Sequence, residues 1–276
     1  MALLYTDSHN HTVEFSADAV MTMDELISEA LSKGIPAVVV TEHFEKDFPH
    51  KIEKPLIFDI DEYFVMMTEQ QAKLPEGFSL YAGIELGYQK HLPAFYDALV
   101  KSYPFDSVIL SNHLYEGKDP FFFRDCYKLP KEELYGRYIE ELAEMINSTN
   151  DFDIVGHYDY IARYAPYPDP TIHYDMCPEA FDRFLTAVIR KNKSLEINTR
   201  SIYKFHTLGV TDIWPDRKIL ARYRELGGIR VTLGSDSHDT STIGIYFEET
   251  AAMLKEYGFD FLCSYVNRKE IRQPIL

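Results

Sequence analysis

The sequence predicts an α/β fold, a barrel of seven parallel strands connected by helices, with residues 1–276 forming a single domain. Three observations lead to this prediction. Short apolar runs alternate with amphipathic helical patterns, which is typical of parallel βαβ units. Seven such units over roughly 250 residues match the size of a barrel rather than of two domains. No internal repeat, low-complexity tract or Pro/Gly/Ser-rich linker divides the chain.

The strands are predicted from apolar, β-branched runs, and the helices from apolar residues that recur on one helical face. In chain order, the predicted strands are Leu3–Ser8, Ala37–Thr41, Ser79–Leu86, Ser107–Ser111, Asp153–Gly156, Ser194–Thr199 and Arg230–Gly234. The predicted helices are Met23–Lys33, Asp61–Lys73, Pro93–Lys101, Lys131–Ser148, Glu179–Lys193, Asp216–Leu226 and Glu248–Tyr257. Gly34 follows the first helix at a position where helices commonly end.

Composition excludes several classes of function. No apolar run is long enough to span a membrane and no signal peptide opens the chain, so we expect a cytoplasmic protein without a membrane partner. The three cysteines lie far apart, which suits a reducing compartment. A net charge of −16 disfavours nucleic acid as a partner. A small anionic substrate remains possible if the site supplies its own cations, and the oligomeric state is left open.

The predicted strands end in histidine and acidic residues. His9 and His11 stand two apart, so in an extended strand both imidazoles point to the same face. The other residues at strand ends are Glu42, His43, Glu85, Asn112, His113, His157, Glu196, Arg200, Asp236 and His238. All strands of a parallel barrel open their carboxyl ends on one face, where active sites are built. We therefore expect these side chains to converge on one mouth.

Histidine with carboxylate, and without cysteine, is the ligand set of zinc, manganese or iron in hydrolytic sites. Six strand-end histidines and two carboxylates exceed the ligands that one catalytic ion needs, so we predict two or three divalent metal ions. Glu85 is the natural bridge because a carboxylate has two oxygens. Each histidine alone would be interpreted as an ordinary polar residue, and the prediction depends on the whole set. Four further histidines are expected at the surface or behind the site: His50, His91, His173 and His206.

Taken in order, these motifs resemble the PHP phosphoesterase superfamily. They are HxH (His9, His11), TEH (His43), GIEL (Glu85), SNH (His113), GHYD (His157) and GSDSH (Asp236, His238). The resemblance spans residues 7–238 and implies a distorted (β/α)7 barrel, the PHP fold, with a trinuclear metal site.

The resemblance also implies how the ligands are shared among three ions. The first ion would be held by His9, His11, Glu85 and Asp236, the second by Glu85, His113 and His157, and the third by His43 and His238. One more ligand of the third ion would come from the loop 12–19, which lacks histidine. There we choose Asp18, with Glu14 as the alternative.

Within the superfamily, the chain resembles monofunctional histidinol-phosphate phosphatases in FDSVILSNHLYEG, the long segment Asp119–Glu133, IVGHYDYIARYAPY, and EINTRS before the final GSDSH. This resemblance implies hydrolysis of L-histidinol phosphate to L-histidinol and phosphate, a step of histidine biosynthesis. Our hypothesis is that a hydroxide bridging two ions attacks phosphorus, with Glu85, Asp236 and His238 as catalytic residues. The proton donor to the leaving alkoxide stays open between Asp236, His238 and His206.

A phosphate substrate also calls for guanidinium groups, which match phosphate oxygens in a bidentate way. Arg163 follows the fifth predicted strand and Arg200 the sixth, so both are expected to face the mouth and bind phosphate. The aromatic stretch Phe121–Tyr127 and the tyrosines 158, 160 and 164 allow two interpretations. They either pack against the barrel rim, which is the simpler interpretation, or line the site for the ring of a substrate.

Three other functions fit part of this pattern. A phosphodiesterase or nucleotide phosphatase would keep the metal site and change the substrate. A binding or regulatory module that has lost turnover is disfavoured by the nearly full ligand set. An amidohydrolase-type barrel would fit HxH alone but usually has a carbamylated lysine after a middle strand, and Glu85 fits that pattern poorly.

Overall fold

The computed structural model describes residues 5–50 and 56–276. In this part of the chain, seven parallel strands pair in sequence order: β1 (Asp7–Asn10), β2 (Ala37–Phe44), β3 (Ser79–Gly87), β4 (Ser107–Ser111), β5 (Ile154–Val155), β6 (Ser194–Asn198) and β7 (Val231–Gly234). A bridge between Asn10 and Ser237 joins the last strand to the first. Beside it, the Asp236 N–H donates to the His9 carbonyl oxygen at 2.8 Å. The predicted seven-stranded barrel is thereby confirmed.

Eight α-helices connect or flank the strands in the described residues. They are α1 (Met23–Ser32), α2 (Ile60–Gln71), α3 (Pro93–Ser102), α4 (Lys131–Ser148), α5 (Pro178–Arg190), α6 (Thr199–Thr207), α7 (Arg217–Glu225) and α8 (Phe247–Glu256). The helix α1 begins with a capping box between Thr22 and Glu25, and α3 and α5 begin at a proline. Sequence analysis did not predict α6, which starts directly after β6 and places Arg200 in its first turn.

Four strands are shorter than predicted, the sixth and seventh by one residue and the first and fifth by two. The first begins at Asp7, and Leu3 and Leu4 of its predicted range lie outside the described residues. The fifth contains two residues rather than Asp153–Gly156. The Asp153 carboxylate accepts the Val108 N–H at 2.9 Å and the Asp153 N–H donates to the Val108 carbonyl oxygen at 2.9 Å, so side chain and backbone together pair this residue with β4 just before the strand.

A hairpin that sequence analysis did not predict closes the amino-terminal end of the barrel. Its antiparallel strands are β8 (Phe261–Val266) and β9 (Lys269–Pro274). Cys263 and Tyr265 pack against Ile109 and Ile154, and the Tyr265 hydroxyl lies 2.8 Å from that of Ser194. Since this end is covered, the carboxyl end of the strands is the open one.

The apolar core lies between the strands and the surrounding helices, where Leu26, Val38 and Val40 are fully buried. Buried polar residues gather at the carboxyl ends of the strands. Within residues 5–50 and 56–276, no helix is both long enough and apolar enough to cross a membrane.

Candidate metal centre

Four buried atoms at the open end of the barrel form a first cluster. They are His9 Nε2, His11 Nε2, Glu85 Oε2 and Asp236 Oδ1. The two ring nitrogens lie 3.5 and 3.6 Å from the Glu85 oxygen, and 3.8 and 3.4 Å from the Asp236 oxygen. Ligands about 2.1 Å from a tetrahedral ion are about 3.4 Å apart. The spacing therefore fits one shared metal ion.

The hydrogen bonds of this cluster also fit a metal ion. His9 Nε2 and His11 Nε2 are buried and have no hydrogen-bond partner among the described residues. Buried polar atoms in proteins are normally paired, because an unpaired one loses its hydration without compensation. Two unpaired ring nitrogens that face the same carboxylates are accounted for if a cation lies between them.

A second cluster shares Glu85 with the first. Glu85 Oε1 lies 2.9 Å from His157 Nε2 and 3.3 Å from His113 Nε2, and these two nitrogens are 3.2 Å apart. The Ser111 hydroxyl donates to the same oxygen at 2.6 Å. Glu85 thus presents one oxygen to each cluster, which is the arrangement of a bridging carboxylate.

A third cluster lies nearest to solvent. His43 Nε2 and His238 Nε2 are 3.3 Å apart, and Asp18 places its carboxylate oxygens 3.6 and 3.2 Å from them. The Asp18 side chain is 58% exposed. Glu14, the alternative from the sequence, instead accepts the Met23 N–H at the start of α1. Of the two candidates, the structure brings Asp18 to the histidines.

Two carboxylates without an assigned role in the sequence analysis orient the histidines from behind. Glu196 Oε1 lies 2.7 Å from His9 Nδ1, and Glu45 contacts His113 Nδ1. A carboxylate at one ring nitrogen holds the proton there and leaves the other nitrogen free for a metal ion. The sequence does carry a signal, since Glu45 is two residues after His43 and so continues the same strand face.

The electrostatics of the centre keep its carboxylates ionised. Burial opposes ionisation of Glu85, but His9, His113 and His43 outweigh it and hold the pKa of this carboxyl well below its usual range. Burial, together with the nearby imidazoles of His43 and His238, lowers the pKa of His11 well below its usual range. His11 is therefore a neutral imidazole at pH 7, which is the form that binds metal.

The backbone at Asp236 is held in an uncommon conformation. Its φ is 51°, in the left-handed region that residues with a side chain rarely adopt. The preceding residue, Ser235, donates its N–H and its hydroxyl to the Asp7 carboxylate at 2.9 and 2.5 Å. Burial raises the pKa of Asp7 to about 6. Asp7 thus fixes the turn that aims Asp236 at the first cluster, a role that the sequence did not reveal.

Comparison with known proteins identifies the family. The model of the PHP domain matches residues 7–200. The chain belongs to the PHP-domain family. A probable histidinol-phosphatase of Clostridium acetobutylicum is 32% identical over 250 residues, which cover 90% of this chain and 92% of that protein. The histidinol-phosphatase of Lactococcus lactis is 29% identical, with 95% of each chain covered.

A solved structure extends the comparison to three dimensions. The crystal structure of the L. lactis histidinol phosphate phosphatase, complexed with zinc, L-histidinol and phosphate, matches this PHP domain with a TM-score of 0.86. The two chains are 27% identical, and the match covers 98% of this chain and 100% of the other. The resemblance drawn from the sequence motifs is confirmed.

The two arginines predicted to bind phosphate differ in availability. Both line a cavity of about 510 Å³ above the three clusters. Arg163 is buried and donates to Asp236 Oδ2 and Asn198 Oδ1, each at 2.8 Å. Arg200 is 36% exposed and donates to the Asp236 carbonyl oxygen at 2.7 Å. Arg200 therefore has the more accessible guanidinium, whereas that of Arg163 is largely used within the protein.

The histidines away from strand ends lie outside the three clusters, as expected. His206 is exposed on α6, and its Nδ1 bonds to the Tyr246 hydroxyl. His91 and His173 pair with aspartates on the surface. His206 does not line the cavity, which weakens its candidacy as proton donor.

The aromatic stretch Phe121–Tyr127 divides between the two interpretations. Phe121 and Phe122 line the cavity and are 51% and 49% exposed. Tyr127 instead packs in the core and donates to the Ile161 carbonyl oxygen at 2.7 Å. Tyr160 and Tyr164 also line the cavity. Phe121 also packs on the Tyr164 ring and Phe122 on the His50 ring, so the first part of the stretch both packs at the rim and lines the cavity.

Proposed function

We propose that this PHP domain hydrolyses L-histidinol phosphate to L-histidinol and inorganic phosphate. The observation that carries the proposal is the joint use of Glu85 by two ligand clusters beneath a cavity that also presents Arg200. A phosphate monoester needs positive charge at its nonbridging oxygens and an activated water, and this arrangement can supply both. Relatives named histidinol-phosphatase support the choice of ester.

We further propose that two or three divalent ions, zinc, manganese or iron, occupy the three clusters. The ligands would be His9, His11, Glu85 and Asp236 for the first ion, Glu85, His113 and His157 for the second, and Asp18, His43 and His238 for the third. When bound, the ions supply positive charge and a water of lowered pKa. Zinc in the L. lactis relative supports this donor set.

The chain's own residues would orient the ester. Arg200 is placed to donate to a phosphoryl oxygen from the rim of the cavity. Arg163 would act chiefly by holding Asp236, because one guanidinium nitrogen donates to this carboxylate while another is fixed by Asn198. The proton for the leaving alkoxide is not expected from Asp236. Although burial opposes its ionisation, His9 and Arg163 keep the pKa of this carboxyl well below its usual range.

The proposal is tested by phosphate release from purified protein of measured metal content. L-Histidinol phosphate would be assayed beside other phosphomonoesters, nucleotides and bis(p-nitrophenyl) phosphate. We expect kcat/KM to be far higher for L-histidinol phosphate than for the rest. The variant His11→Asn should lose the activity, and His91→Asn, which alters an exposed histidine paired with Asp47, should retain it. Faster hydrolysis of the diester or of nucleotides would favour the alternative, a phosphodiesterase or nucleotide phosphatase.

A further inference from the structure

Asp119, in the segment between β4 and α4, is a buried carboxylate that lines the cavity. The residue is 5% exposed. Its Oδ1 accepts the Phe121 N–H at 2.8 Å and the Tyr160 hydroxyl at 3.3 Å. Its other oxygen, Oδ2, accepts no hydrogen bond from any residue that the structure describes. One oxygen therefore holds the loop, and the other is free to contact a ligand.

This carboxylate also lacks a cation. Within the described ranges, no lysine, arginine or histidine forms an ion pair with Asp119, whereas each of four other buried carboxylates at the site has at least one: Glu45, Glu85, Glu196 and Asp236. Burial raises the pKa of Asp119 above its usual range. A buried carboxylate without a counterion is costly, and a cationic group on a ligand would offset that cost.

Asp119 lies where the leaving group of a bound ester is expected. The Tyr160 ring lies 4.8 Å from the His113 ring and 5.4 Å from the His157 ring, measured between centroids. Its hydroxyl donates to Asp119 Oδ1 at 3.3 Å. Asp119 is thus one tyrosine ring beyond the second cluster. An ester whose phosphate lies at the clusters would extend its alcohol along Tyr160 toward this carboxylate.

Aromatic rings line the same path. The Tyr164 ring lies 5.3 Å from the Tyr160 ring and 5.3 Å from the Phe121 ring. Aromatic faces attract cations and also pack against a flat ring. A wall that combines an anionic oxygen with aromatic faces is suited to a ligand group that is both cationic and partly apolar.

We propose that Asp119 selects phosphate esters whose leaving group carries an ammonium or imidazolium a few bonds from the ester oxygen. The inference rests on the proposed function, because the phosphate must be held at the metal centre for the leaving group to reach Asp119. Asp119 binds substrate through Oδ2 and takes no part in the attack at phosphorus. The aromatic wall made by Phe121, Tyr160 and Tyr164 contributes packing to the same group.

The test compares the hydrolysis of three esters by Asp119→Asn and by the wild type. The esters are L-histidinol phosphate, L-phenylalaninol phosphate and 3-phenylpropyl phosphate. The second keeps the ammonium group, and the third has no cation in its leaving group. Asparagine keeps an oxygen for the Phe121 N–H, so the loop is retained. We expect kcat/KM to fall roughly 30-fold or more for the two cationic esters and to change less than about threefold for the neutral one. The control Asp125→Asn alters an exposed carboxylate paired with Lys128 and should change none of them.

The outcomes separate this inference from the proposed function. An equal loss on all three esters, or no loss on any, would overturn the role of Asp119. Equal hydrolysis of all three esters by the wild type would also overturn the role of Asp119, although the protein would still be a phosphatase. A wild type that prefers a different cationic ester, with the preference lost in Asp119→Asn, would support the inference and contradict L-histidinol phosphate as the substrate.

A second measurement does not depend on how the variant folds. Inhibition of the wild-type enzyme by L-histidinol is compared with inhibition by 3-phenylpropan-1-ol, a neutral alcohol of similar length. We expect L-histidinol to inhibit at concentrations at least about tenfold lower. Equal inhibition by the two alcohols would overturn the inference.

Discussion

Glu85 is the residue on which the account of the metal centre depends most, because it offers one oxygen to each of two clusters. We predict that Glu85→Gln removes bound metal and lowers kcat/KM on the order of 1,000-fold or more, since several kcal/mol of charge stabilisation are lost. Metal per chain and phosphate release measure the two effects. The control Glu76→Gln changes an exposed glutamate just before the same strand. Normal metal content in Glu85→Gln would contradict the bridging role.

The charge of His43 predicts a pH dependence of metal binding. Burial lowers its pKa, but Asp18 and Glu85 outweigh burial and raise it to about 9. The metal-free imidazole is therefore protonated at pH 7 and must lose its proton when a metal ion binds. Affinity at the third cluster should increase with pH, by up to about tenfold per pH unit, and level off near pH 9.

Calorimetry in two buffers of different protonation enthalpy measures the protons released on metal binding. Wild type should release more protons than His43→Gln at pH 7. An affinity that stays constant between pH 6 and pH 9, without proton release, would show that His43 is not a metal ligand.

At the scale of secondary-structure elements, the ends of the strands position the metal ligands, and a glycine at one of these ends leaves room for a carboxylate. Gly87 ends β3, and a Cβ at this position would overlap the Glu45 carboxylate that contacts His113. We predict that Gly87→Ala displaces Glu45 and weakens metal binding or activity by roughly 10- to 100-fold.

The matched control is Gly136→Ala in α4, where the added Cβ would meet the Cys177 Cβ at 3.4 Å, an ordinary contact. Metal content and kcat/KM are measured for both variants, with Tm as the check on folding. Unchanged metal content and activity in Gly87→Ala would mean that Glu45 does not orient His113.

The same elements show what could be predicted from sequence. Strands and most helices followed from apolar periodicity, and the residues that come together at the clusters follow the carboxyl ends of those strands. The hairpin β8–β9 was missed because its second strand is mostly exposed and shows no apolar run. The roles of Glu196 and Asp119 depend on contacts with distant residues, which no local pattern carries, whereas the two-residue spacing of Glu45 from His43 is a local signal.

At the scale of the whole molecule, the metal centre ties together the ends of most of the barrel strands. A ligand that binds only the folded state stabilises it by about 4 kcal/mol at 1,000 times its Kd. We therefore predict that removing metal with a chelator lowers Tm by roughly 10 °C. Calorimetric scans with the chelator, and with the chelator already saturated with zinc as the control, measure the shift. An unchanged Tm would indicate that the clusters hold no metal in the folded protein.

The most direct test of the central claim is a metal titration followed by activity. Zinc or manganese is added stepwise to metal-free protein, and phosphate release from L-histidinol phosphate is measured at each step. The account predicts no activity without metal and an increase that reaches its plateau at two or three ions per chain. Full activity without metal, a plateau at one ion, or no release from L-histidinol phosphate at any metal content would contradict it.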